Sequence, residues 1–189
     1  MHDKKDFAVP ANRYGEDVEA ILIGEEELQN RVQELADMVS EKYADAEQDL
    51  LLVCVLKGAA FFLTDFARKL SIPSELEFMA VSSYGASTSS SGVVRILKDL
   101  DRDIAGRNVL IVEDIIDSGN TLSKVLEILH TRNPNSIQLC TLVSKPSRRE
   151  INLDVQFLGF EVEDKFIVGY GLDYDQKYRH LPFIGEIGL

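Results

Sequence analysis

Glu113 and Asp114 stand side by side directly after four apolar, mostly β-branched residues, and Asp117-Ser118-Gly119-Asn120-Thr121 follows three positions on. The apolar residues, 109–112, read as a buried strand that stops at the acids. The small polar residues read as a turn opening an amphipathic helix that reaches about Thr131. A helix N-terminus leaves backbone N–H groups unpaired and carries partial positive charge, so a turn of small residues there lets an anion approach the backbone. A phosphate fits such a place. The adjacent acids cannot face that phosphate unaided, but they suit sugar hydroxyls or a metal ion already bound to phosphate. Acids beside a phosphate cradle point to a ribose phosphate.

Other residues with chemical capacity sit where further apolar runs end. Lys57-Gly58 closes the run 50–56, and Lys145-Pro146 closes the run 136–143. A Lys-Gly pair after a strand is ordinarily only a turn, and a Lys before Pro only a solvated charge. Their position at the carboxyl edge of strands is what makes them candidates, because open α/β sheets bind ligands there. Residues 83–92, Ser-Tyr-Gly-Ala-Ser-Thr-Ser-Ser-Ser-Gly, show no apolar period. They form either a plain hairpin connection or a lid that excludes water from a reaction. Taken alone, Phe166 reads as a core residue and Asp173 as a turn acid.

The elements that must position these groups follow from apolar period. Leu28, Val32, Leu35, Ala36, Val39 and Tyr43 form one stripe of a helix over 25–43, with acids in its first turn. Leu50-Leu-Leu-Val-Cys-Val-Leu56 is apolar throughout, as a central parallel strand should be, and a helix over 59–70 follows. Strands are expected over 75–82, 93–99, 136–143, 155–160 and 166–168, with a solvated turn over 99–108. Residues 1–20 show no interpretable pattern. Alternating strands and helices predict an α/β fold with a mostly parallel central sheet flanked by helices. The whole chain, 1–189, reads as a single domain, in which the N-terminal segment and about 165–189 form a small hood over the carboxyl edge.

The stretch 113–121 resembles the phosphoribosyl-pyrophosphate signature of type I phosphoribosyltransferases. Leu56-Lys57-Gly58, Ser83-Tyr84-Gly85, residues 144–149 and residues 164–174 resemble, in the same order, segments of the hypoxanthine-guanine members of that family. The resemblance implies transfer of the 5-phosphoribosyl group from phosphoribosyl pyrophosphate to hypoxanthine or guanine, with Mg²⁺. It implies Asp117 as general base and Ser118, Gly119, Asn120 and Thr121 as the 5′-phosphate cradle. Glu113 and Asp114 would hold ribose hydroxyls and, with Asp173, the metal. Lys57, Gly58 and Arg179 would serve pyrophosphate. Lys145 would donate to the purine 6-oxo group, Phe166 would stack on the ring, and Ile167 and Asp173 would read its edge. Ser83 and Tyr84 would lie in the lid, nearest the reacting centre. The family usually forms dimers or tetramers.

Two rival functions share the fold: a xanthine-preferring enzyme and an RNA-binding regulator like the pyrimidine attenuation proteins. Against the regulator stands the charge, with 20 Lys and Arg facing 32 Asp and Glu, a net of -12. RNA tracking needs a basic face. No apolar run approaches the roughly 20 residues needed to cross a bilayer, and residues 1–6 lack an apolar signal core, so neither nucleic acid nor membrane is an expected partner and the expected place is the cytoplasm. Cys54 and Cys140 fall inside expected central strands, where free thiols serve as small apolar groups.

Overall fold

The computed structural model describes residues 17–83 and 94–188. Its main sheet has six strands in the order β4-β3-β2-β5-β6-β7. These are β2 (Leu50–Leu56), β3 (Ser74–Ser83), β4 (Val94–Lys98), β5 (Asn108–Ile116), β6 (Ser136–Ser144) and β7 (Phe157–Glu161). All neighbours pair in parallel except β3 with the edge strand β4. This is the mostly parallel α/β sheet that the alternation of runs predicts.

Period-2 geometry explains why β2 is apolar at every position. Leu50, Leu52 and Cys54 face one side, against Leu28, Val32 and Leu35 of α1 (Glu25–Lys42) and Phe62, Leu63 and Phe66 of α2 (Ala60–Lys69). Leu51 and Val53 face the other, with Leu122, Val125 and Leu129 of α3 (Asn120–His130). A strand covered on both faces has no polar side to show. Phe62 and Phe66 are fully buried and their rings meet at 5.6 Å. Each such side chain contributes on the order of 2 to 3 kcal/mol by leaving water. Both cysteines are free and buried in the first of these layers.

A second, three-stranded antiparallel sheet has the order β1-β9-β8, from β1 (Val18–Ile23), β9 (Ile184–Ile187) and β8 (Ile167–Val168). Its inner residues Ile23, Ile167 and Ile184 join the core of the main sheet, while Val18, Val168, Phe183 and Ile187 build a smaller cluster of their own.

Several expected boundaries shift. Residues 18–20 belong to β1, although 1–20 offered no pattern, because the partner strand β9 lies at the opposite end of the chain. β5 does not stop at Glu113 but continues through both acids to Ile116. The reason is its ladder with β6, which pairs Glu113 with Thr141 and Ile116 with Ser144 and so carries polar residues along. Phe166 lies outside β8, and β7 begins at Phe157. Tyr84 and the rest of the expected lid up to residue 92 lie outside the described residues; Ser83 is the last residue of β3.

Candidate active site

β2 leads through α2 to β3 on one side of the sheet, and β5 leads through α3 to β6 on the other. At the carboxyl ends of the adjacent strands β2 and β5 the chain therefore diverges, which opens a crevice. A cleft of about 320 Å³ occupies this place, lined among others by Lys57, Gly58, Glu113, Asp114, Asp117, Ser118, Gly119 and Thr121. A second cleft, about 230 Å³, is lined by Asp114, Ile115, Lys145, Phe166, Ile167, Leu172 and Asp173. Asp114 and Ile115 border both, so the two spaces adjoin.

The floor of the first cleft is the start of α3. Gly119 is its N-cap with φ +85°, a left-handed conformation open to glycine at no steric cost, and among the described residues the one side chain that reaches the helix start is Ser118, whose hydroxyl accepts from the Asn120 N–H at 3.4 Å. Asp117 and Ser118 are thus outside the capping position. The first-turn N–H groups have no intrahelical acceptor. The Ser118 carbonyl accepts from the N–H groups of Glu150 and Ile151, which fixes the turn against the segment after β6. The Asn120 side chain lies on the exposed surface, its Nδ2 donating to Glu150 Oε2 at 2.6 Å, so only the backbone of this residue is offered to the turn.

Asp117 is half exposed, and Arg148 Nε stands 2.8 Å from its Oδ1. The same guanidinium lies 3.4 Å from Asp164, so Arg148 spans two acids, and the Asp117 charge foremost holds its pKa above the usual arginine value. Arg148 was not singled out by sequence. It sits in the 3-10 turn Pro146–Arg148, and the available signal was a basic pair following a Lys-Pro at the sheet edge.

Asp114 lies under the β2 loop. Its carboxylate packs so closely on Gly58 that a methyl group there would overlap it. Desolvation by burial pushes the Asp114 carboxyl up to about 6, opposed by the Ile115 N–H bond and by Arg179, and assisted by Asp173. Glu113 is raised well above the ordinary value, first by burial and then by the Asp114 charge. The peptide bond joining Leu56 to Lys57 is cis.

Asp173 accepts from the Gln176 N–H at 2.8 Å and pairs with Arg179 at 2.8 Å. Arg179 also donates to the Gly171 carbonyl at 2.6 Å, and Lys57 Nζ reaches Gln176 at 3.1 Å. Gln176 thereby links the loops of Lys57 and Arg179, a contact that sequence reading missed. Among the described residues no three His, Cys, Asp or Glu side chains converge as a metal cluster. Glu113 and Asp114 line the first cleft, and Asp114 and Asp173 the second. What does fit a divalent ion is the approach of Asp114 and Asp173, whose mutual repulsion a cation would relieve, leaving most coordination to phosphate and water.

In the second cleft Lys145 is buried, and its Nζ donates to the Lys165 carbonyl at 2.6 Å. An ammonium has three donors, so two remain for other acceptors. Phe166 is 40% exposed rather than core, and meets Tyr174 edge to face at 5.4 Å. Ile167 is buried at the cleft wall. The expected site residues are thus brought to one sheet edge, with the Asn120 side chain turned outward and Tyr84 outside the described residues.

Residues 25–175 match the model of the phosphoribosyl transferase domain family. A hypoxanthine-guanine phosphoribosyltransferase of Mycobacterium avium is 54% identical over 184 residues, covering 95% of this chain and 91% of the relative. A hypoxanthine phosphoribosyltransferase of Escherichia coli K12 is 53% identical over 169 residues, 89% of this chain and 95% of that one. Among solved structures, a hypoxanthine phosphoribosyltransferase of Staphylococcus aureus superposes with a TM-score of 0.87 at 40% identity, covering 91% of this chain and 92% of that chain. Sequence and fold thus agree along nearly the whole length, and the chain belongs to the phosphoribosyl transferase domain family, among the hypoxanthine and hypoxanthine-guanine phosphoribosyltransferases.

Proposed function

We propose that the protein is a purine salvage enzyme, transferring the 5-phosphoribosyl group of phosphoribosyl pyrophosphate to hypoxanthine or guanine and releasing pyrophosphate with IMP or GMP. The single observation that carries this reading is the pair of adjoining clefts, one floored by a helix N-terminus and the other holding a buried Lys and an exposed aromatic ring, with Asp114 between them. A ribose spanning the junction has its phosphate on one side and its base on the other.

In the reaction the bond from the anomeric carbon to pyrophosphate breaks while a ring nitrogen of the purine bonds to that carbon, and the ring gives up a proton. Positive charge grows on the sugar and negative charge on the leaving group, so both need stabilisation. Backbone groups from Ser118 to Thr121 hold the 5′-phosphate, and Glu113 and Asp114 hold the ribose hydroxyls. Lys57, Gly58 and Arg179 take the pyrophosphate. Lys145 donates to the 6-oxo group, Phe166 stacks, and Ile167 with Asp173 reads the edge of the ring. Asp117, oriented by Arg148 at 2.8 Å, accepts the purine proton. Mg²⁺ brought by the diphosphate would be held by Asp114 and Asp173, with Glu113 adjacent, and supplies neutralising charge for the leaving group.

The small sheet serves as the hood that closes one side of the purine cleft, a role its residue Ile167 supports by lining that cleft. The enzyme works in the cytoplasm as a homodimer or homotetramer, a state that sedimentation equilibrium reads directly. The deciding assay follows product formation from phosphoribosyl pyrophosphate with hypoxanthine, guanine, xanthine and adenine side by side. Hypoxanthine and guanine are expected to react fastest, whereas a preference for xanthine or adenine overturns the reading.

A further inference from the structure

The turn that carries Asp173 into the site is held from outside by a hydrogen-bond network unrelated to any ligand group. Gly169, Tyr170 and Gly171 have φ of +102°, +49° and +101°, three successive left-handed residues. A residue with a side chain is disfavoured in that conformation, so something must hold Tyr170 there. Its ring is buried in the main core, and its hydroxyl donates to Asp65 Oδ2 of α2 at 2.6 Å. Gln29 of α1 donates to the same carboxylate oxygen at 2.9 Å. Arg68 takes the other oxygen, Oδ1, at 2.6 Å. Burial foremost, then the hydrogen bond to Asp65 and its charge, raises the Tyr170 phenol, so it stays a donor at neutral pH.

From Tyr170 the contacts run straight into the site. The Tyr170 N–H donates to the Leu181 carbonyl at 2.8 Å and the Gly171 N–H to the Arg179 carbonyl at 3.0 Å. The Gly171 carbonyl accepts from the Arg179 guanidinium. The Gly171 backbone lies so close over the Gly58 carbonyl that a methyl group at 171 would overlap it. Gly58 in turn rests on Asp114.

We infer that Tyr170 and Asp65 are positioning residues of this enzyme: their hydrogen bond, behind the site, holds the 169–171 turn that sets Gly58 and Arg179 at one spacing and so tunes affinity for the pyrophosphate-bearing substrate. Neither touches substrate. The inference rests on the function proposed above, and deepens it by assigning how the pyrophosphate side is held in register. Pre-set geometry of this kind matters because small displacements of binding groups are costly in rate and affinity.

The test measures KM and kcat for phosphoribosyl pyrophosphate, pyrophosphate binding by calorimetry and Tm, for wild type and four variants. Tyr170→Phe and Asp65→Leu should each raise KM and weaken pyrophosphate binding by about tenfold or more, the scale of losing a charge-assisted hydrogen bond, with a smaller change in kcat. Asp65→Asn keeps an acceptor for the phenol and should restore most of the affinity. Arg68→Ala removes only the partner of Oδ1 and should leave KM unchanged. Asp65 lies on a helix with a partly exposed side chain, so its variants decide the matter if Tyr170→Phe does not fold. A lower Tm with KM and pyrophosphate affinity within about twofold of wild type makes the network merely structural and overturns the inference. Equal losses in Arg68→Ala and Asp65→Leu overturn it too, since the Tyr170 bond would then not be the operative contact. Wild type that turns over no purine sinks the function reading, whereas active wild type with unmoved variants sinks only this inference.

Discussion

Asp117 can act on a purine only if its carboxylate is aimed, and Arg148 is placed to aim it from 2.8 Å. Asp117→Asn keeps the shape and removes the base, so single-turnover rates should fall by about 10² to 10⁴ with little change in affinity for phosphoribosyl pyrophosphate. An unchanged rate would take Asp117 out of the mechanism. Because Gly119 occupies the N-cap and the ion pair is half exposed, the variant should unfold in urea close to wild type. Lys145→Ala should weaken use of 6-oxopurines by roughly 1.5 to 3 kcal/mol while sparing phosphoribosyl pyrophosphate, read from KM for each substrate. Asp114 gives a pH-dependent case. Its folded pKa, raised to about 6 chiefly by burial, means the native state binds the proton more tightly than the unfolded chain, so stability falls as pH rises from about 4 to 6. Asp114→Asn should therefore be more stable than wild type by up to roughly 3 kcal/mol at pH 8 in metal-free buffer, and the gap should close below pH of about 4. Urea melts across that range check the sign; a gap that widens in acid contradicts it.

At the scale of elements, the turn from β5 into α3 carries the proposed phosphate site, and its geometry depends on one residue. A side chain at Gly119 would take a left-handed backbone and press on Leu153 Cδ1 at 3.2 Å. Gly119→Ala should cost about 1 to 2 kcal/mol in urea unfolding and raise KM for phosphoribosyl pyrophosphate more than KM for the purine. Equal changes in both would mean the turn is not the phosphate cradle. The strand leading into this turn was legible in its apolar half, residues 109–112, because burial on two faces leaves a local mark. Its polar half, from Glu113 to Ile116, was not, because the pairing with β6 that extends it is a property of two strands together.

For the whole molecule, a formal charge of -12 opposes the tracking of a polyanion. A fluorescently labelled mixed RNA pool should show no binding that weakens steeply with salt; tight binding with a steep negative slope would favour the regulator over the enzyme. Any anion the molecule binds must be met by a few local cations, and Lys57, Lys145 and Arg179 all lie at one edge of the main sheet.

The order of α1 to α3 and of the main-sheet strands β2 to β7, and the turn of small residues after β5, were determined by the sequence itself. Period, glycine placement and polar punctuation act over a few residues, and the segments inherit a common edge from right-handed crossovers in a parallel sheet. Tertiary structure alone decided the rest. β1 exists because β9 pairs with it, Val18 against Ile187 across nearly the full chain. Tyr170 finds Asp65 across 105 residues, and Arg148 reaches Asp117 only because the chain after β6 turns back over the start of α3. The burial that lifts Asp114 is likewise made by β2, β5 and the 169–173 turn closing together. No local pattern encodes these partners, since bringing distant segments together costs an entropy that grows only slowly with the intervening length.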